Sequence, residues 1–288
     1  MLLTMKELLS VARKNNFAVG AFNITDSVLF ETVLTQAEKV NAPVIIELAP
    51  PEFNYVNDSF FAYVTKRMTL SAVPCVLHLD HGASLQDCVR AIRCGFTSVM
   101  IDGSKLTYDE NIKLTSSVVN IAHMAGVSVE GEIGTIGSTA NSVESSSDQI
   151  IYTKPSEVTD FVSKTNVDSL AIAIGTSHGI YKTNCIPKLQ IELLKEINKV
   201  SSIPLVLHGG SSNSDDDIIQ ACKNGVNKVN IASDFRYAFF QSVTKTLNDT
   251  GAFWGPKVFV DGVQSAQAVI NHKMTLFNSI DKADLYVK

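Results

Sequence analysis

The sequence lacks an excess of positive charge. Its 288 residues carry 24 Lys and Arg against 29 Asp and Glu, which gives a formal net charge of −5. Nucleic acids and anionic membranes bind proteins through clustered basic side chains, so we expect neither as a partner. No apolar stretch reaches the ~18 residues of a membrane span. Residues 1–14 show no signal-peptide pattern, and we therefore expect a cytoplasmic protein.

Cysteine is also scarce, and its spacing does not suit bonding. There are five cysteines, an odd number, and no two of them form a CxxC pair. This argues against a disulfide framework and against a sulfur-ligated metal. We expect most of them to be small buried apolar residues.

The sequence contains instead a regular alternation of short apolar runs with segments of helical periodicity. The predicted strands are residues 18–22, 44–48, 75–79, 98–101, 128–133, 169–174, 205–207 and 228–231. Alternating strands and helices favour a parallel sheet, and eight such strands suffice to close a (β/α)₈ TIM barrel. No linker or shift in composition divides the chain. We therefore predict an α/β fold with a single barrel domain over residues 1–288.

Three histidines stand at or just past the ends of predicted strands. They are His81 in VPCVLHLDHG, His178 in SLAIAIGTSHG and His208 in IPLVLHGGS. If these strands share one sheet, their imidazoles meet at one rim, as an open catalytic Zn²⁺ site with three protein ligands requires. A hydrogen-bonded core histidine is the alternative for any one of them, and it is favoured for His78.

Small residues follow the last two predicted strands. Gly209, Gly210 and Ser211 come after one strand, and the run from Asn230 to Ser233 comes after the other. Loops at these positions of a barrel often bind phosphate, because exposed backbone N–H groups approach its oxygens and a following helix adds its positive end. The alternative is that the glycines only make tight turns.

One segment, GTIGSTANSVESSSD at residues 134–148, is too polar to belong to a core. It is also longer than a typical loop between strand and helix. Loops of this kind on the face that carries an active site often cover the substrate. We expect this segment to be such a lid.

Six motifs carry a family resemblance. HLDHG, MIDGS, VEGEIG, SLAIAIGTSHGIYK, PLVLHGGS and KVNIASD resemble, in order, the signatures of the class II, zinc-dependent fructose- and tagatose-bisphosphate aldolases. The resemblance implies reversible retro-aldol cleavage of a phosphorylated ketose to dihydroxyacetone phosphate, or a related ketone, and an aldehyde. It further implies one catalytic Zn²⁺ per chain, room for a monovalent cation, and a homodimer or homotetramer.

Carried over residue by residue, the resemblance implies roles for individual side chains. His81, His178 and His208 would bind the zinc, and Asp80 would be the acid/base at the aldehyde oxygen. The alternative for Asp80 is that it only orients an imidazole. Asp102 and Glu132 match positions that hold metal in a second, non-catalytic arrangement, but we expect them to give supporting hydrogen bonds instead. The implied substrate-binding residues are Asn23, Gly179, Lys182, Gly209, Gly210, Ser211, Asn230, Ile231, Ala232 and Ser233. For Lys182 a solvated amine is the alternative.

The sequence departs from the family where the base for the ketone's α-proton is expected. Relatives continue there into a glycine pair and acidic residues, whereas this chain reads GSTAN from Gly137, with Ala140 at the expected position. The first carboxylate is Glu144. Either Glu144 acts as the loop base, another group replaces it, or the reaction differs from the usual one.

This departure motivates a second hypothesis, a catalytically degenerate barrel that binds a sugar phosphate as a sensor or partner protein. A third, a metallohydrolase barrel, would carry an HxH pair on its first strand. Residues 18–23 contain none.

Overall fold

The chain alternates strands and helices along its whole length in this computed structural model. The structure describes residues 1–138, 150–179, 188–211 and 213–286, apart from the side chains at 137, 138 and 178. The strands are β1 (Val19–Asn23), β2 (Val44–Leu48), β3 (Cys75–Gly82), β4 (Ser98–Ile101), β5 (Ser128–Ile133), β6 (Gly137–Ser138), β7 (Ser169–Ile172), β8 (Ser177–His178), β9 (Leu205–Leu207) and β10 (Val226–Ile231). The helices are α1 (Met5–Lys14), α2 (Ser27–Lys39), α3 (Pro50–Tyr55), α4 (Ser59–Thr69), α5 (Leu85–Arg93), α6 (Tyr108–Met124), α7 (Pro155–Thr165), α8 (Ile191–Val200), α9 (Asp215–Lys223), α10 (Ser233–Thr250), α11 (Gly255–Leu276) and a 3₁₀ turn at Ala283–Tyr286.

Eight of the strands close into a parallel barrel, in the order β1-β10-β9-β7-β5-β4-β3-β2. The predicted (β/α)₈ barrel is therefore confirmed, and each predicted strand has its counterpart. The largest difference in length is in β3, which runs three residues beyond the predicted end. The short pair β6 and β8 forms a separate two-stranded sheet, which the sequence did not predict. Among the described residues, no helix has the length and apolarity of a membrane span.

Side chains alternate across the strands and form two separate apolar regions. Outward residues such as Phe22, Ile46 and Leu77 pack against the surrounding helices in the main core. Inward residues at the amino-terminal end of the barrel, such as Ile45 and Val76, pack instead with α1 in a smaller cluster. This helix begins with a capping box between Thr4 and Glu7 and closes that end of the barrel.

Higher in the barrel, the inward positions become charged. Glu47, His78, Glu130 and Lys228 all have fully buried side chains. Two residues further along β3 and β10 lie Asp80 and Asn230, at the carboxyl ends of the strands. The interior thus changes from apolar at the closed end, through a buried ionic layer, to a polar rim at the open end, where the active sites of such barrels lie.

Candidate metal centre and active site

A bulge at the end of β3 determines where His81 lies. In the pairing of β3 with β4, Leu79 faces Val99 and Gly82 faces Ile101, so β3 has one extra residue between them. His81 has a φ of 46°, in the left-handed region that non-glycine residues rarely adopt. Strict alternation would place Asp80 and His81 on opposite faces of the strand. The bulge and the positive φ bring both side chains to the barrel mouth.

Two of the three predicted zinc ligands meet at this rim. The rings of His81 and His208 lie 4.5 Å apart between centroids. One ligand atom each from Asp80, His81 and His208 can be chosen so that all lie within 4.8 Å of one another. The third predicted ligand, His178, lies in β8, which pairs with β6, but its side chain is outside the described residues.

A carboxylate orients each of these two imidazoles. The His208 Nε2 lies 2.9 Å from Glu130 Oε1, and the His81 Nδ1 lies 3.1 Å from Asp102 Oδ2. A metal-binding histidine commonly donates its other ring N–H to such a group, which fixes the ring and its tautomer. The other ring nitrogens, His208 Nδ1 and His81 Nε2, do not contact these carboxylates, and Asn230 Nδ2 lies 3.4 Å from His208 Nδ1. Glu132, the other predicted supporting residue, lies 4.0 Å from His81 Nδ1.

Asp80 is held between two side-chain amides. Asn23 Nδ2 donates to Asp80 Oδ2 at 3.1 Å, and Asn230 Nδ2 donates to Asp80 Oδ1 at 3.0 Å. The Oδ1 atoms of both asparagines are buried and accept no hydrogen bond from any described residue. They are therefore acceptors suited to the hydroxyl groups of a polar ligand.

The charges at the rim set the protonation of these groups. Burial acts to raise the pKa of Asp80, but the positive charges of His81, His208 and Lys228 outweigh it and lower the pKa below the ordinary value. Asp80 is therefore ionised at neutral pH. Burial, reinforced by the charge of Asp102, raises the pKa of Glu132 well above its usual range.

A second network below the rim was not predicted from the sequence. The Lys228 Nζ lies 2.9 Å from Glu130 Oε2 and 3.4 Å from Glu47 Oε2. Burial alone would lower the pKa of Lys228, but these carboxylates and Asp80 raise it above the ordinary value. His78 lies beside this network with its Nδ1 2.8 Å from Ser98 Oγ, as expected for a hydrogen-bonded core histidine. The sequence signal that could have revealed this network is the presence of charged residues at inward positions of otherwise apolar strands.

The two predicted phosphate loops lie side by side. Gly210 N donates to Asn230 O at 3.0 Å, and Ala232 N donates to Ser211 Oγ at 3.3 Å. Helix α10 begins at Ser233, directly after the second loop. Ile231 has a fully buried side chain, so only its backbone is suited to contact a ligand.

Four other predicted residues complete this account. Gly179 follows β8 and has a φ of 98°, while Asn23 ends β1 beside Asp80. Lys182 and the candidate loop base Glu144 lie outside the described residues, as does Ala140. Residues 139–148 of the predicted lid are also outside them.

Gly209 links the His208 loop to the backbone next to His178. A Cβ at Gly209 would lie 2.6 Å from the carbonyl oxygen of Ser177, while one at Gly251 would meet nothing within 4 Å. Gly209 and Gly251 have nearly the same φ, 63° and 62°, so the two positions differ in the space around them and not in backbone conformation. We expect Gly251→Ala to cost about 1–2 kcal/mol of unfolding free energy through backbone strain alone. Gly209→Ala should cost about 1–3 kcal/mol more, because the methyl group must displace Ser177.

Urea denaturation of the two variants measures this difference directly. Equal losses would mean that the backbone around Ser177 moves aside without cost. Such a result would contradict the close packing of the two segments.

Comparisons with known proteins agree with this geometry. The family model described as "Fructose-bisphosphate aldolase class-II" matches residues 3–282. A fructose-bisphosphate aldolase of Helicobacter pylori is 34% identical, with 98% of this chain and 100% of that protein covered. A fructose-bisphosphate aldolase of Staphylococcus aureus is 36% identical, with 98% of this chain and 99% of that protein covered.

Solved structures extend the similarity to the fold. The crystal structure of the YdjI aldolase from Escherichia coli K12 has a TM-score of 0.85 and 29% identity, covering 98% of this chain and all of that one. The family match spans both the histidine strands and the glycine loops. The chain therefore belongs to the class-II fructose-bisphosphate aldolase family and is an aldolase, a metal-dependent carbon–carbon lyase.

Proposed function

We propose that this protein is a zinc-dependent aldolase that reversibly cleaves a phosphorylated ketose into dihydroxyacetone phosphate, or a related ketone, and an aldehyde. The observation that carries the proposal is the position of Asp80. It is held by Asn23 and Asn230 directly beside His81 and His208.

His81, His178 and His208 would hold the metal. The chemistry of the donors fits zinc, since neutral imidazole is a preferred zinc ligand, and carboxylates orient the rings of His81 and His208. Asp102 and Glu132 would support the site, in keeping with the hydrogen bond that Asp102 Oδ2 accepts from His81 Nδ1. When bound, the cation supplies a Lewis acid for the ketone oxygen.

Asp80 would move the proton of the substrate hydroxyl. In cleavage, its ionised carboxylate takes the proton from the hydroxyl whose carbon becomes the aldehyde, and in condensation it returns that proton. Its lowered pKa supports the ionised form at neutral pH. The Oδ1 atoms of Asn23 and Asn230, which accept no hydrogen bond from the part of the chain that the structure describes, are suited to orient hydroxyl groups of the same substrate.

The phosphate of the ketone would bind at the paired loops. Backbone N–H groups from Gly209 to Ser211 and from Asn230 to Ser233 are expected to contact its oxygens, with Gly179 beside them. The positive end of α10 favours an anion here. Lys182 would add a charge, and the base for the α-proton would be Glu144 or a group that replaces it.

The remaining sequence predictions belong to the same proposal. They are a single domain over the whole chain, zinc rather than another divalent metal, a monovalent cation, a cytoplasmic location and a homodimer or homotetramer.

The proposal is tested by exchange and cleavage together. The zinc-loaded protein is incubated with dihydroxyacetone phosphate in D₂O, and C–H exchange is followed by NMR. Retro-aldol cleavage is assayed over a panel of phosphorylated ketoses, including uronic and deoxy sugars. We expect exchange with dihydroxyacetone phosphate and cleavage of at least one ketose.

His208→Ala is expected to lose both the bound zinc and these activities, because it removes one metal ligand. His272→Ala is the matched control, since this half-exposed imidazole pairs with Asp215 away from the rim. Metal content is measured by mass spectrometry. A zinc-loaded protein that binds the ketone phosphate but neither exchanges nor cleaves would contradict the proposal and favour the sensor hypothesis.

A further inference from the structure

A chain of polar contacts reaches Asp80 from outside the barrel. It runs from Arg236 on α10 through Glu52 on α3 to Asn23 on β1, and from there to Asp80. No motif in the sequence indicated a role for Glu52 or Arg236. Both lie on helices that flank the rim.

Glu52 is the centre of this chain. Its Oε2 accepts from the backbone N–H of Ala49 at 2.7 Å and from Asn23 Nδ2 at 3.4 Å. Its Oε1 accepts from Arg236 Nη1. Only 5% of Glu52 is exposed, so the carboxylate relies on these donors in place of water.

Arg236 connects the same chain to the predicted phosphate loop. Its Nε donates to the carbonyl oxygen of Ala232 at 3.0 Å, while its Nη1 donates to Glu52. Since the guanidinium is planar and rigid, the two contacts fix the loop and the carboxylate relative to each other. The side chain is 16% exposed.

The Asn23 amide is what Glu52 orients. Its nitrogen has two hydrogens, and the contacts to Asp80 and Glu52 use both of them. A half-turn of the amide would place the carbonyl oxygen against two carboxylates, which repel it. The Glu52 carboxylate therefore favours the orientation in which Asn23 donates to Asp80.

We propose that Glu52 and Arg236 are positioning residues for the acid/base chemistry of Asp80. They hold the Asn23 amide in its donating orientation and tie that orientation to the loop that binds the ketone phosphate. This inference rests on the proposed function. Cleavage of the ketose then requires Glu52 and Arg236 to be in place. Enolisation of the ketone does not require them, because Asp80 acts on the aldehyde oxygen.

The main variant is Glu52→Gln, which keeps the shape but removes the charge. We expect its kcat for ketose cleavage to fall about tenfold, as for a slightly misplaced catalytic group. KM, zinc content and C–H exchange of dihydroxyacetone phosphate should stay at wild-type values. Arg236→Gln should lower kcat similarly and also raise KM, because it releases Ala232. Arg236→Lys should recover most of kcat.

The matched control is Arg67→Gln. Arg67 makes a comparable partly buried ion pair with Glu38, through two hydrogen bonds of 2.8 and 2.7 Å, on other helices. We expect this variant to keep wild-type kinetics. A wild-type kcat in Glu52→Gln, or an equal fall in exchange and in cleavage, would overturn the inference.

A second measurement does not depend on turnover. The side-chain amide resonances of Asn23, assigned by their loss in Asn23→Asp, should shift in Glu52→Gln and stay in place in Arg67→Gln. Unshifted resonances would refute the contact itself. If the wild-type protein neither exchanged nor cleaved, the proposed function would fail, while these resonances would still decide whether the contact orients Asn23.

Discussion

Replacing Asp80 with alanine is expected to abolish ketose cleavage while the zinc content stays that of the wild type. General acid/base groups contribute about 10²–10⁴-fold to rate, and the expected loss in kcat lies at the upper end of that range. Asp80 is 1% exposed and is held by amides of Asn23 and Asn230. A water molecule in place of the carboxylate would not be held in the orientation that proton transfer needs.

Asp80→Asn serves as the matched variant, because it keeps the size of the side chain but loses the negative charge and the ability to take a proton. It should be about as inactive as the alanine variant. Both should retain C–H exchange of dihydroxyacetone phosphate, since that proton leaves the ketone rather than the hydroxyl. Cleavage by Asp80→Ala at the wild-type rate would refute the assigned role.

The largest effect on stability is expected from Lys228→Met. This change removes the ammonium that lies between Glu130 and Glu47, both fully buried, and leaves an apolar side chain of similar length. Breaking a buried ion pair on one side costs about 3–5 kcal/mol, because an uncompensated charge stays behind. Urea denaturation should reveal a loss of this size in unfolding free energy.

Two further variants separate charge from packing. Lys228→Met combined with Glu130→Gln should recover part of the lost unfolding free energy, since one buried negative charge is removed. Lys245→Met, at a lysine whose side chain is 81% exposed, should leave the unfolding free energy unchanged. A wild-type stability for Lys228→Met would mean that water or proton uptake neutralises the ionic layer without cost.

The sequence predicted the barrel because its signals are local and repeated. Each apolar run forms a strand by its own composition, and α-helical periodicity between runs leaves few arrangements other than a parallel sheet. The rim residues followed from the same logic, since all strand ends of a parallel barrel lie on one face. The sequence could therefore assign both Asp80 and Asn230 to that face.

The bulge that brings His81 to the rim was not predictable in this way. Period-two alternation places Asp80 and His81 on opposite faces, and only the pairing of β3 with β4 reveals the extra residue. The ionic layer was missed for a related reason. Glu130 and Lys228 are 98 positions apart, and neither position indicates its partner.

The sequence by itself determined the fold class, the face that carries the chemistry and the residue types gathered there, because short-range periodicity encodes strands and their ends. Only the tertiary structure decided which carboxylate orients which imidazole, and that Arg236 and Glu52 connect to Asp80 through Asn23. These contacts join residues distant in the chain, and their existence depends on barrel closure and register, which no local pattern records.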